Sequence, residues 1–340
     1  MNETNPSIPD TIWQHWNRRL SPLLRQRMTL LFIGNLILVG FIFYHTQQHE
    51  KASFLDELSR FSANVAPVTL AAIGLTGIIY AGSIDISVGS IIVVAGTVLG
   101  IFYEYQASAL VCFAACFITA WSLSVLNGYL IRLLRLPAII ITLGGLAFYR
   151  GLALFLAQLS LQPFSGQISI QQEIYHTPGK QYASLILITV TITVILWEIF
   201  GKTPRYWLAF GCSENACRLR GVSTGVTQLS TFFVGGLFLG LASLVEITNR
   251  MTIEPARMLT GFELDVIGAV VLGGTNIFGG EGSFVGTILG SFFLYWSGQA
   301  IFYLGISEYW RTAIQGAIIL AVIGFDCIIH KKQKQLDELR

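Results

Sequence analysis

The chain has 340 residues, 53% of them hydrophobic and 12% charged, with 34 glycines and a formal net charge of +2. A soluble globular domain carries about 25% charged residues, so this composition excludes one and describes an integral membrane protein. The net charge points to no particular partner; what informs is where Lys and Arg sit.

Residues 1–27 read as a cytoplasmic N-terminal tail. Within it Ile12, Trp13, Trp16, Leu20, Leu23 and Leu24 recur at helical spacing among arginines. That pattern fits a helix lying in the membrane interface or a solvated tail. The first apolar run covers 28–44, and the cations before it place the N-terminus in the cytoplasm. No signal-peptide cleavage site follows this run. A second span is expected at 61–81.

A break follows at 81–90, AGSIDISVGS. Non-helical backbone at membrane depth survives only when buried in protein or lining a wet cavity. Broken helices of that kind mark substrate paths in transporters. Gly82 and Gly89 are its candidate break glycines, and Asp85 and Ser87 its candidate pathway residues. An aspartate at a helix centre costs roughly 2.5–3.5 kcal/mol on insertion scales, so Asp85 must be capped, paired or wet. The structural alternative is a tight interhelical turn in which Ser83, Asp85 and Ser87 cap the next helix.

Spans three to five are expected at 88–103, 108–131 and 137–159, with Arg132 and Arg135 marking a cytoplasmic turn and Pro137 at a helix start. Arg150 lies inside the fifth span. It either snorkels to the outer headgroups or pairs inside with Glu246, Glu263, Asp265 or substrate. Loop 160–182 is polar and poor in cations, hence external. Span six covers 183–200.

The next loop carries Lys202, Arg205, Arg218 and Arg220, cytoplasmic by the same charge rule. In YWLAFGCSENACRLRGVST, 206–224, Ser213 with Glu214 and Asn215 resembles a helix start. Ala216 to Leu219 makes a short amphipathic helix, and Gly221 stops it. Such a helix invites a soluble partner or lies on the lipid surface. Span seven is expected at 226–247 and an external segment at 248–262.

A second break interrupts the apolar stretch LDVIGAVVLGGTNIFGGEGSFVGTILG, 264–290. Its glycines are Gly273, Gly274, Gly279, Gly280 and Gly282, and Thr275 and Asn276 are candidate pathway residues, with Asp265 at the outer end of the preceding run. Spans eight and nine flank the break, span ten covers 310–329, and 331–340 is a basic cytoplasmic tail. The expected fold is all-α, a polytopic membrane protein of about ten helices with a transmembrane domain over 28–330. Ten spans put every cation-rich loop on one side. The intramembrane polar groups Asn127, Gln299 and Gln315 are also candidates, but interhelical hydrogen bonding explains them adequately.

Catalytic signals are lacking. The five histidines form no cluster, and no paired carboxylates share a helix face within a span. The five cysteines lack zinc-site spacing and read as free thiols. Gly201-Lys202-Thr203 resembles the end of a phosphate-binding loop, but that motif needs glycine at position 196, which is Leu196. No metal or cofactor is expected.

GSIDISVGS (82–90), LPAIIITLGGLAFYRG (136–151), GCSENACRLRGV (211–222) and FELDVIGAVVLGGTNIFGGEGSFVGTILG (262–290) together resemble the permease subunits of bacterial ABC sugar importers of the ribose, xylose and autoinducer-2 type. The motifs fall in the family's order over most of the chain beyond about residue 60. Ala81 replaces the usual first glycine of the early motif, and Glu281 stands where many relatives carry arginine. The resemblance implies a permease of the bacterial inner membrane, pairing with a same or related permease subunit around a central path. It implies a cytoplasmic ATPase dimer docked on loop 205–225, with Glu214, Arg218, Leu219 and Gly221 as the coupling residues. It further implies a periplasmic solute-binding protein, and no chemistry in this chain. The alternative from another class is an ion-coupled secondary transporter using Asp85, Asp265 and Arg150; an intramembrane enzyme ranks third.

Overall fold

A computed structural model describes residues 22–49, 54–158, 160, 167–176 and 182–307, with scattered helical positions between 310 and 324. The interfacial helix expected within 1–27 lies outside the described residues up to position 21. So do most of the tenth span, Gln315 and the tail 331–340.

Helices dominate. In chain order they are α1 (Pro22–His49), α2 (Phe54–Tyr80), α3 (Val88–Glu104), α4 (Ala109–Leu134), α5 (Ala138–Ala157) and α6 (Ala183–Phe200). Then come α7 (Thr203–Cys212), α8 (Glu214–Leu219), α9 (Thr224–Arg250), α10 (Phe262–Leu272) and α11 (Phe284–Tyr303). Seven of these are long and apolar enough to cross a membrane. The protein is an all-α, multi-pass membrane protein.

Two helices are short for a reason. At 1.5 Å per residue, α3 with 17 residues and α10 with 11 reach about 25 Å and about 16 Å, less than the roughly 30 Å hydrocarbon core. Each adjoins one of the two breaks. The first break is non-helical chain enclosed by other helices, whereas the second reaches the surface at Phe278.

The centre is built on α2 and α9, which pack along each other. α9 also packs on α4, α3 on α4 and α5, and α11 on α1, α10 and α2. The middle of α2 is almost entirely enclosed, with Leu70, Ile73 and Ile79 inaccessible. By contrast α1, α4, α5 and α6 leave Ile37, Leu110, Phe148 and Leu185 exposed. A helix apolar all round, exposed at a rim, faces lipid rather than water. Polar rungs tie the central helices: Thr76 to Thr287 and Thr69 to Ser291, each at 2.8 Å. Their hydroxyls also bond backbone carbonyls one turn back.

One pairing was not foreseen. β1 (Ile168–Ser169) from the segment after α5 pairs antiparallel with β2 (Thr252–Ile253) after α9, Ile168 opposite Ile253. Both isoleucines are buried and lie against the place where a side chain at Gly100 would stand. Residues 206–224 also hold more helix than the single short one expected. α7 starts at Thr203 with Pro204 in its first turn, and buries Trp207 and Phe210 on one face.

Candidate functional site

Both breaks begin in the same way. α2 closes with Gly82 at φ +70°, the Gly82 N–H donating to Ile79 O and the Ser83 N–H to Ile78 O. α10 closes with Gly274 at φ +87°, the Gly274 N–H donating to Val271 O and the Thr275 N–H to Val270 O. A left-handed residue past the last turn satisfies two orphan carbonyls, and glycine adopts it without a Cβ clash.

They then diverge. After Gly82 the chain is non-helical to Ser87 and carries Asp85 inward, to 0% exposure. Asp85 Oδ1 accepts from the Ser87 N–H at 2.8 Å and the Ser87 hydroxyl at 2.6 Å, and Oδ2 accepts from Asn127 Nδ2 at 3.4 Å. Asn127 also donates to Ser87 Oγ at 2.8 Å and accepts from the Tyr149 hydroxyl at 2.7 Å. Thr142 donates to Ile84 O. The leg is thereby pinned to α4 and α5. Gly89, in the first turn of α3, lies under Leu259 and Glu263.

The second break is a compact turn. Asn276 Oδ1 accepts from the Phe278 N–H at 3.0 Å, Asn276 N–H donates to Glu281 O, and Gly279 N–H donates to Asn276 O. Gly279 and Gly280 both have positive φ, +86° and +81°. Thr275 is buried beside Gly282, where a Cβ would meet the Tyr80 ring and Thr275 Oγ1. Gly273 meets the backbone of Gly286 and Thr287, so α10 and α11 touch main chain to main chain.

Here the two breaks meet. The Gly280 N–H donates to Tyr80 O at 3.1 Å. A Cβ on Gly279 would fall 2.6 Å from Gly82 N. The end of α7 completes the junction. Cys212 Sγ donates to Gly280 O at 3.4 Å, and a Cβ on Gly211 would fall 2.7 Å from Gly280 N. Three backbone segments thus cross with no room for a side chain between them.

α8 sits on this junction. Ser213 caps it, accepting from the Ala216 N–H at 3.2 Å. Gly221 at φ +78° ends it in the same left-handed closure, with Val222 N–H bonded to Cys217 O. Its inner side, Cys217 with Val222, packs against Ala81 and Phe210. Its outer side carries the Glu214–Arg218 ion pair at 2.9 Å and Leu219, which is 89% exposed. Phe278, at the tip of the second break, is 87% exposed. Arg132, from the end of α4, lies against Gly225 at the start of α9.

Glu198, near the end of α6, was not singled out from the sequence. Its carboxylate accepts from the Phe284 N–H at 3.0 Å, the Val285 N–H at 3.4 Å, the Ser283 hydroxyl at 3.4 Å and the Tyr80 hydroxyl at 3.2 Å. It caps α11 from another helix, satisfying donors that the break leaves without partners. A lone carboxylate inside an apolar span is the signal that marks it. Gly211 and Cys212, also passed over, have no such signal.

Other predicted residues lie apart from the junction. Arg150 Nη1 donates to Pro255 O at 3.0 Å and Met258 O at 2.7 Å, fixing the segment between β2 and α10. Glu246 pairs with Arg250. Asp265, in the first turn of α10, lines a cavity of about 330 Å³ between α2, α9, α10 and α11, with Gln299 beside it. Asn127 bonds between helices as expected. No group of three metal-ligating side chains occurs among the described residues.

Comparison with known families decides what such a molecule is. Residues 58–323 match the model of the family described as branched-chain amino acid transport system / permease component. The chain belongs to this permease family. Among curated relatives, the autoinducer 2 import system permease protein of Photorhabdus laumondii is 31% identical over 276 residues, covering 78% of this chain and 81% of that protein. The ribose import permease protein of Escherichia coli is 29% identical over 268 residues, 77% of this chain and 82% of that one. That of Haemophilus influenzae is 26% identical over 318 residues, 92% and 95%. No solved structure matches the permease significantly. The family match covers both breaks, α7 and α8, so the junction is part of the permease fold rather than an appendage.

Proposed function

We propose that this permease is the translocation subunit of an ATP-driven importer for a sugar or sugar-like solute. A periplasmic binding protein delivers the solute, and a cytoplasmic ATPase dimer drives a pair of permease subunits. The reading rests above all on the junction. α8 presents Leu219 outward while its inner side rests on Ala81, and Cys212 beside it bonds the second break. A push on α8 therefore reaches both breaks within one layer of contacts. The names of the relatives, ribose and autoinducer 2 import permeases, support the solute class.

The orientation follows from charge. Arg132, Arg135, Arg205 and Arg218 belong to the turns and short helices at the junction end. A cation excess marks the cytoplasmic side, so α8 and Phe278 face the cytoplasm, and the same charge rule assigns the tails 1–27 and 331–340 there. Leu219 and Phe278, apolar and exposed there, suit a protein partner better than water. In this reading Glu214, Arg218, Leu219 and Gly221 form the coupling element, and ATP hydrolysis belongs to the partner.

The ion-coupled alternative has less to stand on. Both Asp85 oxygens are engaged by Ser87 and Asn127, and Arg150 is engaged by two carbonyls.

Reconstitution tests the proposal. Proteoliposomes carrying the permease with its co-purified ATPase and binding protein are expected to take up D-ribose only with ATP, and equally well with a protonophore or without sodium. Uptake driven by an ion gradient in the absence of ATP would refute it.

A further inference from the structure

A cavity of about 590 Å³ lies at the junction end, but Arg132, Arg135, Glu214 and Arg218 line it, the groups already assigned to the cytoplasmic face. A second cavity lies in the far half of the molecule, on the side from which an importer receives its solute. The cavity beside Asp265 measures about 330 Å³ and is enclosed by α2, α9, α10 and α11. Small-molecule sites run from about 300 to about 1,000 Å³, so its size suits one small solute.

Its position is informative. Asn64 lies in the first half of α2, Arg250 ends α9, Asp265 begins α10, and Gln299 falls in the last turns of α11. These are the ends of the helices opposite the junction. Asn64 is exposed and Arg250 is half-exposed, which sets the mouth of the cavity toward that side. Ser291, buried and bonded to Thr69, lies at the inner end.

Its chemistry selects among solutes. Glu246 is 5% exposed and compensated by Arg250. Asp265 brings a second carboxylate to the same wall. The amides Asn64 and Gln299 both donate and accept, while Ser291, whose hydrogen goes to Ile288 O, can offer only a lone pair. Filling this wall with a branched hydrocarbon would strip water from polar groups and return no hydrogen bonds. A polyol returns them, because each hydroxyl donates once and accepts twice. Tyr295 and Val68 give the apolar face that the C–H surface of a sugar ring needs.

We infer that this cavity is the first station of the solute inside the permease, a binding site for a monosaccharide-sized polyol on the side that receives it. The inference rests on the importer reading above and adds to it the site and the class of solute held there.

The test uses the whole complex in proteoliposomes with D-ribose as probe. Asp265→Asn and Gln299→Leu are each expected to lower the ribose moved per ATP hydrolysed at least tenfold. A second measurement keeps the inference testable if either variant folds poorly. Gln299→Cys is labelled with a small charged thiol reagent, with ribose-loaded or empty binding protein present. Loaded binding protein is expected to slow labelling at least fivefold. Wild-type ribose transport with a normal ratio in both variants, or unprotected labelling, overturns the cavity site and leaves the importer reading standing. A wild-type complex that imports L-leucine and not ribose overturns the polyol class. A wild-type complex indifferent to ATP overturns the importer reading itself.

Discussion

The two breaks start from one device and satisfy their polar groups in opposite ways. Gly82 and Gly274 close their helices by the same left-handed turn. Beyond that turn, the first break brings its own charge inward. Asp85 is satisfied mainly by Ser87, two residues on, and then by Asn127. The second break brings glycines, and the helix after it is capped by Glu198, which is 86 residues from Phe284. The first is anchored through side chains to α4 and α5. The second is held by backbone contact at the junction and by one carboxylate on α6. In the proposed coupling the first is the better anchored, and the second leans directly on the end of α7.

This contrast orders the consequences of mutation. The largest effect is expected at the crossing of the backbones. Gly279→Leu places a Cβ 2.6 Å from Gly82 N at a residue with φ +86°. The left-handed conformation alone costs roughly 1–2 kcal/mol, and the clash has no side chain to yield. A total above about 4 kcal/mol and abolished uptake are expected, measured by thermal unfolding in detergent and by transport. Gly274→Leu meets the flexible Leu24 and Arg27 side chains instead, and its cost should be smaller.

Next comes the cap. Glu198→Leu leaves the Phe284 and Val285 amides and the Tyr80 and Ser283 hydroxyls without that acceptor. Each buried unsatisfied group costs about 1–3 kcal/mol. A loss of about 3 kcal/mol or more is expected, with faster hydrogen exchange at the start of α11. Unchanged exchange there would erase the distinction between the breaks.

The smallest effect is expected at Asp85→Asn. The asparagine Oδ1 still accepts from both Ser87 donors, and only the long bond from Asn127 is lost. The cost should stay near 1 kcal/mol, with at least half of wild-type uptake. Uptake falling by a hundredfold would make the charge itself functional, and Asp85 would cease to be an anchor.

Much of this was legible in the residues. Span six, 183–200, is α6 to the residue, because an apolar run bounded by polar neighbours has only one place to lie. Gly82 and Gly274 stood out because a glycine after an apolar run is the ordinary helix stop, and Gly221 because it follows a short amphipathic helix. The Ser213 cap was visible as a local pattern. What escaped notice depends on distance in the chain. Glu198 acts on residues far along the sequence, β1 pairs with β2 across α6 and α9, and Gly211 looks ordinary until Tyr80 and Gly280 are placed around it. Four helices must be assembled before the cavity at Asp265 exists at all.

The central claim is that the α7–α8 corner passes the state of a docked ATPase to both breaks. Cys212 reports on it directly, being an exposed thiol bonded to Gly280 O. In a Cys327→Ser background, with Cys112, Cys116 and Cys217 buried, the rate of Cys212 alkylation is measured in the docked complex with and without a non-hydrolysable ATP analogue. The same is done in Leu219→Asp, where a charge replaces an exposed apolar anchor. Anchor losses of about 2 kcal/mol or more weaken docking at least tenfold. The account predicts that nucleotide changes the rate several-fold in the unaltered corner and not in Leu219→Asp. A rate indifferent to nucleotide in a complex that still transports would contradict it.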